Sequence, residues 1–389
     1  MDAKTLIKNK SICTLPWTGF QLDPNGDVKN CIMSNEILGN IDQTHIKDIM
    51  AGSKNLNLKK DMLADRKPKN CSGCYLQEKG TTNLSSISSR LYYLREIGAK
   101  VDLNLYDKPN NFSLKHVDLR WTNSCNQACV YCSPNASSKW AQEMGVKVKS
   151  KKESRQEVKD FVFENVSDLK NVYLAGGEPM LMKENYEFLK LLKVKNPNCN
   201  IRVNTNLSTT GTGIFELLCT FNNVHWIISV DSMEQEYEYI RHHGSWKDFL
   251  HNLEIVRKLN HKISFNMLHF ILNYVSVHDC IDLLKAKGFH DNSFIMGPLY
   301  TPMYYNILNL PEHMIKQTVD LLQQKLNQNP LGYLKNSYEN CLKYLSNTQW
   351  DKNINSFYEN IKILDGRRGV DSKKTFTRLF EELDANTVE

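Results

Sequence analysis

From about residue 115 to residue 297 the chain alternates short apolar runs with longer amphipathic stretches. The short runs are typical of strands, and the stretches between them are typical of helices. We predict strands at 116–122, 172–175, 201–206, 224–231, 263–272 and 293–297. The stretches between them predict helices at about 153–168, 184–194, 213–221, 246–259 and 277–287. Regular alternation of strand and helix predicts an α/β protein with a parallel sheet.

The first ninety residues follow a different pattern. Two short runs, 18–22 and 28–31, flank a Pro-Asn-Gly turn sequence, which favours a hairpin, and a helical stretch follows to about Leu63. More helical patterns occur near the C-terminus, at about 311–328 and 376–383. We therefore predict four regions: a first unit at 1–90, a connector at 91–114, an α/β domain at 115–300 and a mainly helical region at 301–389.

Composition and charge exclude few classes of protein. The chain has 389 residues, of which 41% are apolar and 24% charged, as in ordinary globular proteins. The net charge of +6 is explained by a solvated lysine-rich surface, so we expect no nucleic-acid partner. There is no run of about eighteen apolar residues and no apolar leader at the N-terminus, so we expect a cytoplasmic protein with no membrane partner.

The eleven cysteines change this picture. In a chain without a secretion signal, so many cysteines favour metal ligation over a disulfide framework. Three of them, Cys125, Cys129 and Cys132, lie within eight residues directly after the first predicted strand of the α/β domain. Three ligands are one short of the four that structural zinc and cubane clusters normally take, so one metal position is left for a small molecule.

This spacing, C-x3-C-x-aromatic-C with Tyr131 as the aromatic residue, resembles the signature of the radical S-adenosylmethionine (SAM) superfamily. The resemblance implies a partial (β/α)6 barrel and a [4Fe–4S] cluster on Cys125, Cys129 and Cys132. It also implies that SAM chelates the fourth iron and is cleaved reductively to a 5′-deoxyadenosyl radical. A flavodoxin or ferredoxin would then be the electron donor.

Four further cysteines, Cys13, Cys31, Cys71 and Cys74, form a complete ligand set in the first unit. From the residues alone the metal is either zinc or an iron–sulfur cluster. Together with Pro16-Trp17, the hairpin and Leu38-Gly39-Asn40-Ile41, they resemble a twitch or SPASM domain. That resemblance implies a second, auxiliary [4Fe–4S] cluster with all four irons ligated. In most relatives this domain follows the barrel, whereas here it precedes it.

Residues at the ends of later strands resemble the SAM-binding positions of the superfamily. For Arg241, a surface arginine at a helix end is an equally good interpretation from residue type alone. The fifth strand lacks the Gly-x-Ile-x-Gly pattern of many members. The predicted SAM-binding residues are Tyr131, Gly176, Gly177, Glu178, Pro179, Thr205, Asn206, Ser229, Asp231 and Arg241.

Other candidate residues have simpler interpretations. Four cysteines remain, Cys199, Cys219, Cys280 and Cys341. Cys219 and Cys280 lie within helical apolar patterns and are interpreted as core thiols, and a hydrogen-atom donor among the four is the alternative. The sequence 364–369, Leu-Asp-Gly-Arg-Arg-Gly, is interpreted as a solvated turn, with contact to an anionic substrate as the alternative.

Our prediction is a two-cluster radical SAM enzyme acting on a peptide or protein side chain, a sugar or another small metabolite. Two other classes remain open. A zinc-binding interaction protein would use both cysteine sets structurally and would be colourless. An iron–sulfur electron-transfer protein would be brown but would not cleave SAM.

Overall fold

The computed structural model describes residues 9–78, 88–148, 151–348 and 350–385. Its described residues form one nine-stranded sheet in the order β3-β2-β1-β4-β5-β6-β7-β8-β9. The strands are β1 (Gly19–Leu22), β2 (Asp27–Lys29), β3 (Gly39–Asn40), β4 (His116–Leu119), β5 (Asn171–Leu174), β6 (Asn200–Thr205), β7 (Val224–Ser229), β8 (Lys262–His269) and β9 (Phe294–Pro298).

Strands β4 to β9 are parallel neighbours in chain order, and helices connect them. This arrangement confirms the predicted α/β class. The helices of this part are α6 (Ser138–Glu143), α7 (Lys152–Glu164), α8 (Lys183–Lys195), α9 (Gly213–Cys219), α10 (Glu234–Ile240), α11 (Trp246–Arg257) and α12 (Ser276–Ala286). Helices α6 and α10 were not predicted, and the other elements begin and end within a few residues of the predicted bounds.

The two faces of the parallel sheet differ in chemistry because side chains alternate along each strand. In β6, Ile201 and Val203 are fully buried and pack in the main core with residues of the surrounding helices. Arg202 and Asn204, which alternate with these residues along the strand, are half-buried and face the opposite side of the sheet. The helices therefore cover an apolar outer face, and the inner face is polar.

The N-terminal hairpin continues this sheet. Strand β1 pairs in parallel with β4, and Gly19 lies beside His116 so closely that a Cβ would come within 2.5 Å of the His116 carbonyl oxygen. Phe20 and Val28 belong to the main core. The sequence pattern did not predict that the sheet and core of the α/β domain run into the first unit.

The remainder of the first unit has a small core of its own. Its helices are α1 (Leu15–Thr18), α2 (Ile46–Ala51), α3 (Ser53–Leu63), α4 (Ser72–Glu78) and α5 (Ser89–Glu96). Trp17, Met62, Leu94 and Tyr106 are almost fully buried in this second cluster. So few apolar side chains provide limited stabilisation, which makes additional cross-links valuable here.

The C-terminal region is helical, as predicted. Helix α13 (Glu312–Asn327) packs against α14 (Gly332–Asn347), which lies beside β9, and α15 (Ile354–Arg368), α16 (Ser372–Thr375) and α17 (Thr377–Asp384) follow. The predicted solvated turn at 364–369 is wrong. Leu364 is buried, and residues up to Arg368 continue α15, which ends at Gly369 in the left-handed conformation.

None of the helices within the described ranges is both long and apolar enough to cross a bilayer.

Candidate functional site

The three-cysteine loop leaves β4 at the carboxyl end of the parallel sheet, where α/β proteins place their chemistry. Its backbone is held from both sides. Ala128 and Val130 donate N–H groups to the carbonyls of His242 and Ile240 at 3.0 and 2.8 Å. On the other side, Trp140 Nε1 of α6 donates to the Cys129 carbonyl at 2.6 Å. Cys125, Cys129 and Cys132 are all free thiols on this fixed loop.

The Gly-Gly-Glu-Pro segment after β5 packs directly on the cysteine loop. The Glu178 N–H donates to the Ser124 carbonyl at 2.7 Å. A Cβ on Gly177 would lie 2.2 Å from the same carbonyl oxygen, so no larger residue fits there. Gly176 has φ +113, which favours glycine, and Pro179 is buried. The paired glycines thus allow two loops to touch backbone to backbone.

Glu178 links this segment to the end of β6. Its side chain is 1% exposed and accepts hydrogen bonds from Thr205 Oγ1 at 2.8 Å and from the Asn206 N–H at 2.7 Å. Burial raises the pKa of Glu178 to about 7. Asn206 in turn lies 3.9 Å from Cys125 Sγ through its Nδ2. Three of the predicted positions therefore form one connected group beside the first cysteine of the loop.

A second group lies on the Cys129 side. Arg241 Nη2 donates to Asp231 Oδ2 at 2.7 Å and to the Tyr131 hydroxyl at 2.8 Å, and its Nη1 is 3.8 Å from Cys129 Sγ. Arg241 is 4% exposed, so the surface-arginine interpretation is wrong. Its Nε has no hydrogen-bond partner among the described residues. Burial also raises the pKa of the Tyr131 hydroxyl well above its usual value, which keeps the phenol protonated.

Ser229 is the one predicted SAM-binding residue that lies outside both these two groups and the Gly-Gly-Glu-Pro segment. It ends β7, is half-buried on the inner face and pairs in register with Asn266 of β8.

The sequence analysis missed a brace that connects the C-terminal helix to the cysteine loop. Arg368 at the end of α15 donates to both carboxylate oxygens of Glu143 on α6, at 3.0 to 3.2 Å. Its guanidinium also lies 4.7 Å from the Trp140 ring, and Trp140 holds the Cys129 carbonyl. The partners are more than 220 residues apart in the chain, so no local pattern predicts this contact.

The four N-terminal thiols meet in one place. Cys13, Cys31, Cys71 and Cys74 line a single small cavity, together with Tyr75 and Arg90 among others. Burial, and then the neighbouring thiols, raise the pKa of Cys31 to about 12, and burial raises that of Cys71 to about 11. Thiolates crowded in a buried place need a cationic centre to be stable.

The thiol arrangement also bears on the kind of metal. The four N-terminal thiols surround a cavity, which fits a polynuclear cluster bound from all sides. Arg90 closes one wall, donating to the Ile12 carbonyl at 2.8 Å and pairing with Glu78.

The remaining cysteines differ in burial. Of the two predicted core thiols, Cys280 is buried and Cys219 is only partly buried, and Cys199 and Cys341 are buried as well. Cys199 lies next to the amino end of β6, far from the three-cysteine loop along the strand direction.

Comparison with individual known proteins gives matches of low sequence identity. The chain is 24% identical over 167 residues to a GTP 3′,8-cyclase of Campylobacter lari, a match that covers 42% of this chain and about half (49%) of that relative. The solved structure of anSMEcpe with bound AdoMet aligns at TM-score 0.40 and 18% identity, covering 54% of this chain and 60% of that one. Streptococcus suis SuiB bound to its precursor peptide SuiA aligns at TM-score 0.42 and 12% identity, covering 77% and 67%.

Family models match the two cysteine regions separately. The radical SAM superfamily model matches residues 119–286, and the SPASM model, described as an iron–sulfur cluster-binding domain, matches residues 13–75. Both domains indicate iron–sulfur clusters, and the order along the chain agrees with the predicted N-terminal position of the auxiliary unit. The chain therefore carries a radical SAM domain over residues 119–286, preceded by an N-terminal SPASM domain over residues 13–75.

Proposed function

We propose that this protein is a two-cluster radical SAM enzyme. The observation that carries the proposal is the contact between the three-cysteine loop and the Gly-Gly-Glu-Pro segment, with Glu178 N–H on the Ser124 carbonyl. This contact brings three thiols, a glycine-rich backbone and the Asn206 side chain together at the carboxyl end of the parallel strands. Neither a structural zinc site nor a simple electron carrier requires that combination.

Cys125, Cys129 and Cys132 hold the first [4Fe–4S] cluster in this proposal. Such a cluster would supply the electron for the reductive cleavage of SAM to methionine and a 5′-deoxyadenosyl radical, and that radical would abstract a hydrogen atom from the substrate. The N–H groups of Ala128 and Val130 keep the loop fixed, and Trp140 binds its Cys129 carbonyl. The chain therefore orients the three thiols before any ligand arrives.

In this proposal, two groups of residues bind different parts of SAM. Arg241 Nε has no hydrogen-bond partner among the described residues, and Asp231, Tyr131 and Cys129 hold the other two nitrogens in place, so Arg241 offers a preoriented donor to a carboxylate. Glu178 accepts hydrogen bonds from β6, so we assign it to positioning the Gly-Gly segment and assign the amino group of SAM to that segment's backbone. Ser229 and Thr205-Asn206 complete the predicted set.

Cys13, Cys31, Cys71 and Cys74 hold the second, auxiliary cluster. Four thiols around one cavity leave no metal position for SAM, so this cluster positions substrate or relays electrons. We propose a peptide or a small metabolite as substrate and a flavodoxin or ferredoxin as reductant. One curated relative is named a GTP 3′,8-cyclase, which supports a small metabolite as substrate.

The test is anaerobic reconstitution followed by dithionite and SAM, with 5′-deoxyadenosine measured by liquid chromatography and mass spectrometry. We expect formation of 5′-deoxyadenosine, its loss in Cys129→Ala and its retention in Cys219→Ala, a matched cysteine on the opposite side of the sheet from the site. A variant with alanine at residues 125, 129 and 132 that still cleaves SAM reductively would overturn the proposal. A colourless zinc protein would support an interaction module, and a brown protein inert toward SAM would support an electron carrier.

A further inference from the structure

One row of polar side chains crosses the inner face of the sheet. The register of the parallel strands places Asp118 of β4 beside Tyr173 of β5, Tyr173 beside Arg202 of β6, Arg202 beside His225 of β7, and His225 beside Lys262 of β8. If this face of the sheet packed only against apolar side chains, it would not contain such a row, since buried polar groups need partners.

Arg202 is the more buried of the two cations in this row, and neither cation has a counter-ion among the described residues. No described residue forms an ion pair or a hydrogen bond with its guanidinium, and its buried Nε has no partner. The nearest carboxylate in the row, Asp118, is already held by Arg120 through two bonds of 3.0 Å. An unpaired buried cation is costly, so its presence calls for an explanation.

Two tyrosine rings flank Arg202. The guanidinium carbon lies 4.9 Å from the ring centre of Tyr92 on α5 and 5.2 Å from that of Tyr173. Ring contacts of this kind stabilise a cation and fix its plane, but they bond none of its N–H groups. The arrangement therefore holds the guanidinium in place and leaves its N–H edge available for an acceptor.

The electrostatic surroundings of Arg202 keep the two nearby histidines uncharged. Burial, and then the charge of Arg202, lower the pKa of His116 to about 3. Burial, Lys262 and Arg202 together lower the pKa of His225 to about 3. Both histidines are therefore neutral at physiological pH, and the uncompensated charge that remains attracts an anion.

The position of Arg202 suits the remote end of a substrate. It lies four residues before Asn206, which contacts Cys125, so it is about 13 Å below the cysteine loop along β6 at a rise of about 3.3 Å per residue. Helix α5 lies over the inner face at the other end, where Tyr93 contacts the ring of His116 at 4.5 Å. The guanidinium thus lies between the cysteine loop and this helix.

We propose that Arg202 binds an anionic group of the substrate, a carboxylate or a phosphate, inside the partial barrel. Arg is suited to both because its planar fork matches two oxygens of either group. The proposal rests on the proposed function in that it assigns the anion to the substrate of the same site. Binding of the anion itself requires no cleavage of SAM.

The experiment is thermal unfolding of the reconstituted protein in phosphate, acetate or chloride at equal ionic strength. For the wild-type protein we expect a saturable rise in Tm with phosphate or acetate beyond that in chloride, and the more effective anion identifies the group. Arg202→Met should lose this rise, and without anions its Tm should be about 2 °C higher, because an unpaired buried charge is gone.

Two variants make the outcome decisive. Lys262→Met removes a more exposed cation of the same row and should retain most of the anion-dependent rise. Arg202→Lys keeps the charge but not the fork and should retain a reduced rise, which also covers the case in which Arg202→Met folds poorly. Absence of any anion-specific rise in the wild-type protein, or an equal rise in Arg202→Met, would overturn the proposal. A protein that binds the anion but does not cleave SAM would instead overturn the proposed function alone.

Discussion

The two cysteine sites are built in opposite ways. The four N-terminal thiols come from three separate chain segments and meet around a cavity beside a small core. The three thiols of the radical SAM domain lie on one loop, which hydrogen bonds hold against the large sheet. Where ligands come from distant segments, the metal itself closes the fold, and where they come from one loop, the scaffold orients them first. The auxiliary site should thus couple to folding, and the SAM site to activity.

The sharpest way to separate the sites is to remove each ligand set in turn. With alanine at residues 13, 31, 71 and 74, iron should fall from about eight to about four atoms per chain. The N-terminal unit should lose on the order of 5 kcal/mol or more of stability, seen as lost amide protection in residues 9–78 by hydrogen exchange. The triple variant at 125, 129 and 132 should lose as much iron but keep that protection. Zinc in an anaerobically prepared wild-type protein, or undiminished protection in the quadruple variant, would contradict the comparison.

The contact at Gly177 tests the orientation of the second site. Gly177→Ala places a Cβ against the Ser124 carbonyl and should push the loops apart, at a cost of about 1–3 kcal/mol in stability and at least about tenfold in the rate of SAM cleavage. Gly366→Ala is the matched control. It lies in α15 with open space around its added methyl group, so it should leave the rate unchanged and stabilise by up to about 1 kcal/mol. Equal rates for the two variants would show that the loop contact does not matter.

The brace from α15 should have a smaller effect that depends on pH. Partial burial opposes ionisation of Glu143, but hydrogen bonds and charge from Arg368 outweigh it and lower the pKa of this carboxyl. Its contribution is therefore present above the usual glutamate pKa and is lost as the pH falls through the lowered value. Glu143→Gln should cost about 2 kcal/mol near neutral pH and weaken SAM binding, and its deficit in unfolding free energy should shrink on acidification.

The exposed Glu312 provides the control for this pH series. Glu312→Gln, at a weak surface pair with Lys352, should change stability by less than about 0.5 kcal/mol at every pH. A deficit of Glu143→Gln that stays constant with pH would assign its effect to packing and not to the ion pair.

The smallest expected effect concerns Lys59 in the first unit. Burial lowers the pKa of Lys59 to about 8, and its Nζ donates to the Asn111 carbonyl at 3.0 Å. Because the unfolded chain binds this proton more tightly, wild-type stability should rise as the pH increases from about 8 toward the usual lysine pKa. Lys59→Met should abolish that alkaline rise and be about 1 kcal/mol more stable near pH 7, measured by denaturant unfolding. A rise of equal size in both proteins would exclude Lys59 as its source.

Much of the barrel was predictable because its signals are local. The alternation of strands and helices and the spacing of Cys125, Cys129 and Cys132 are properties of short segments, and the fold and the cofactor class followed from them. The errors came from longer-range contacts. Residue type alone left Arg241 equally suited to the surface, yet Asp231 and Tyr131 bury it. A glycine- and arginine-rich stretch was interpreted as a turn. In the structure, helix α15 continues to Arg368, whose side chain contacts Glu143.

Which residues are able to bind metal, and which segments form strands and helices, follows from the chain alone, since ligand type and periodicity are properties of neighbouring residues. Three features follow only from the folded molecule: β1 joins the parallel sheet, Glu178 accepts a hydrogen bond from β6, and Arg202 lies unpaired between two tyrosines. Each of these depends on partners that are distant in the chain. Whether a charge is paired or free is set by those partners, and no local pattern contains them.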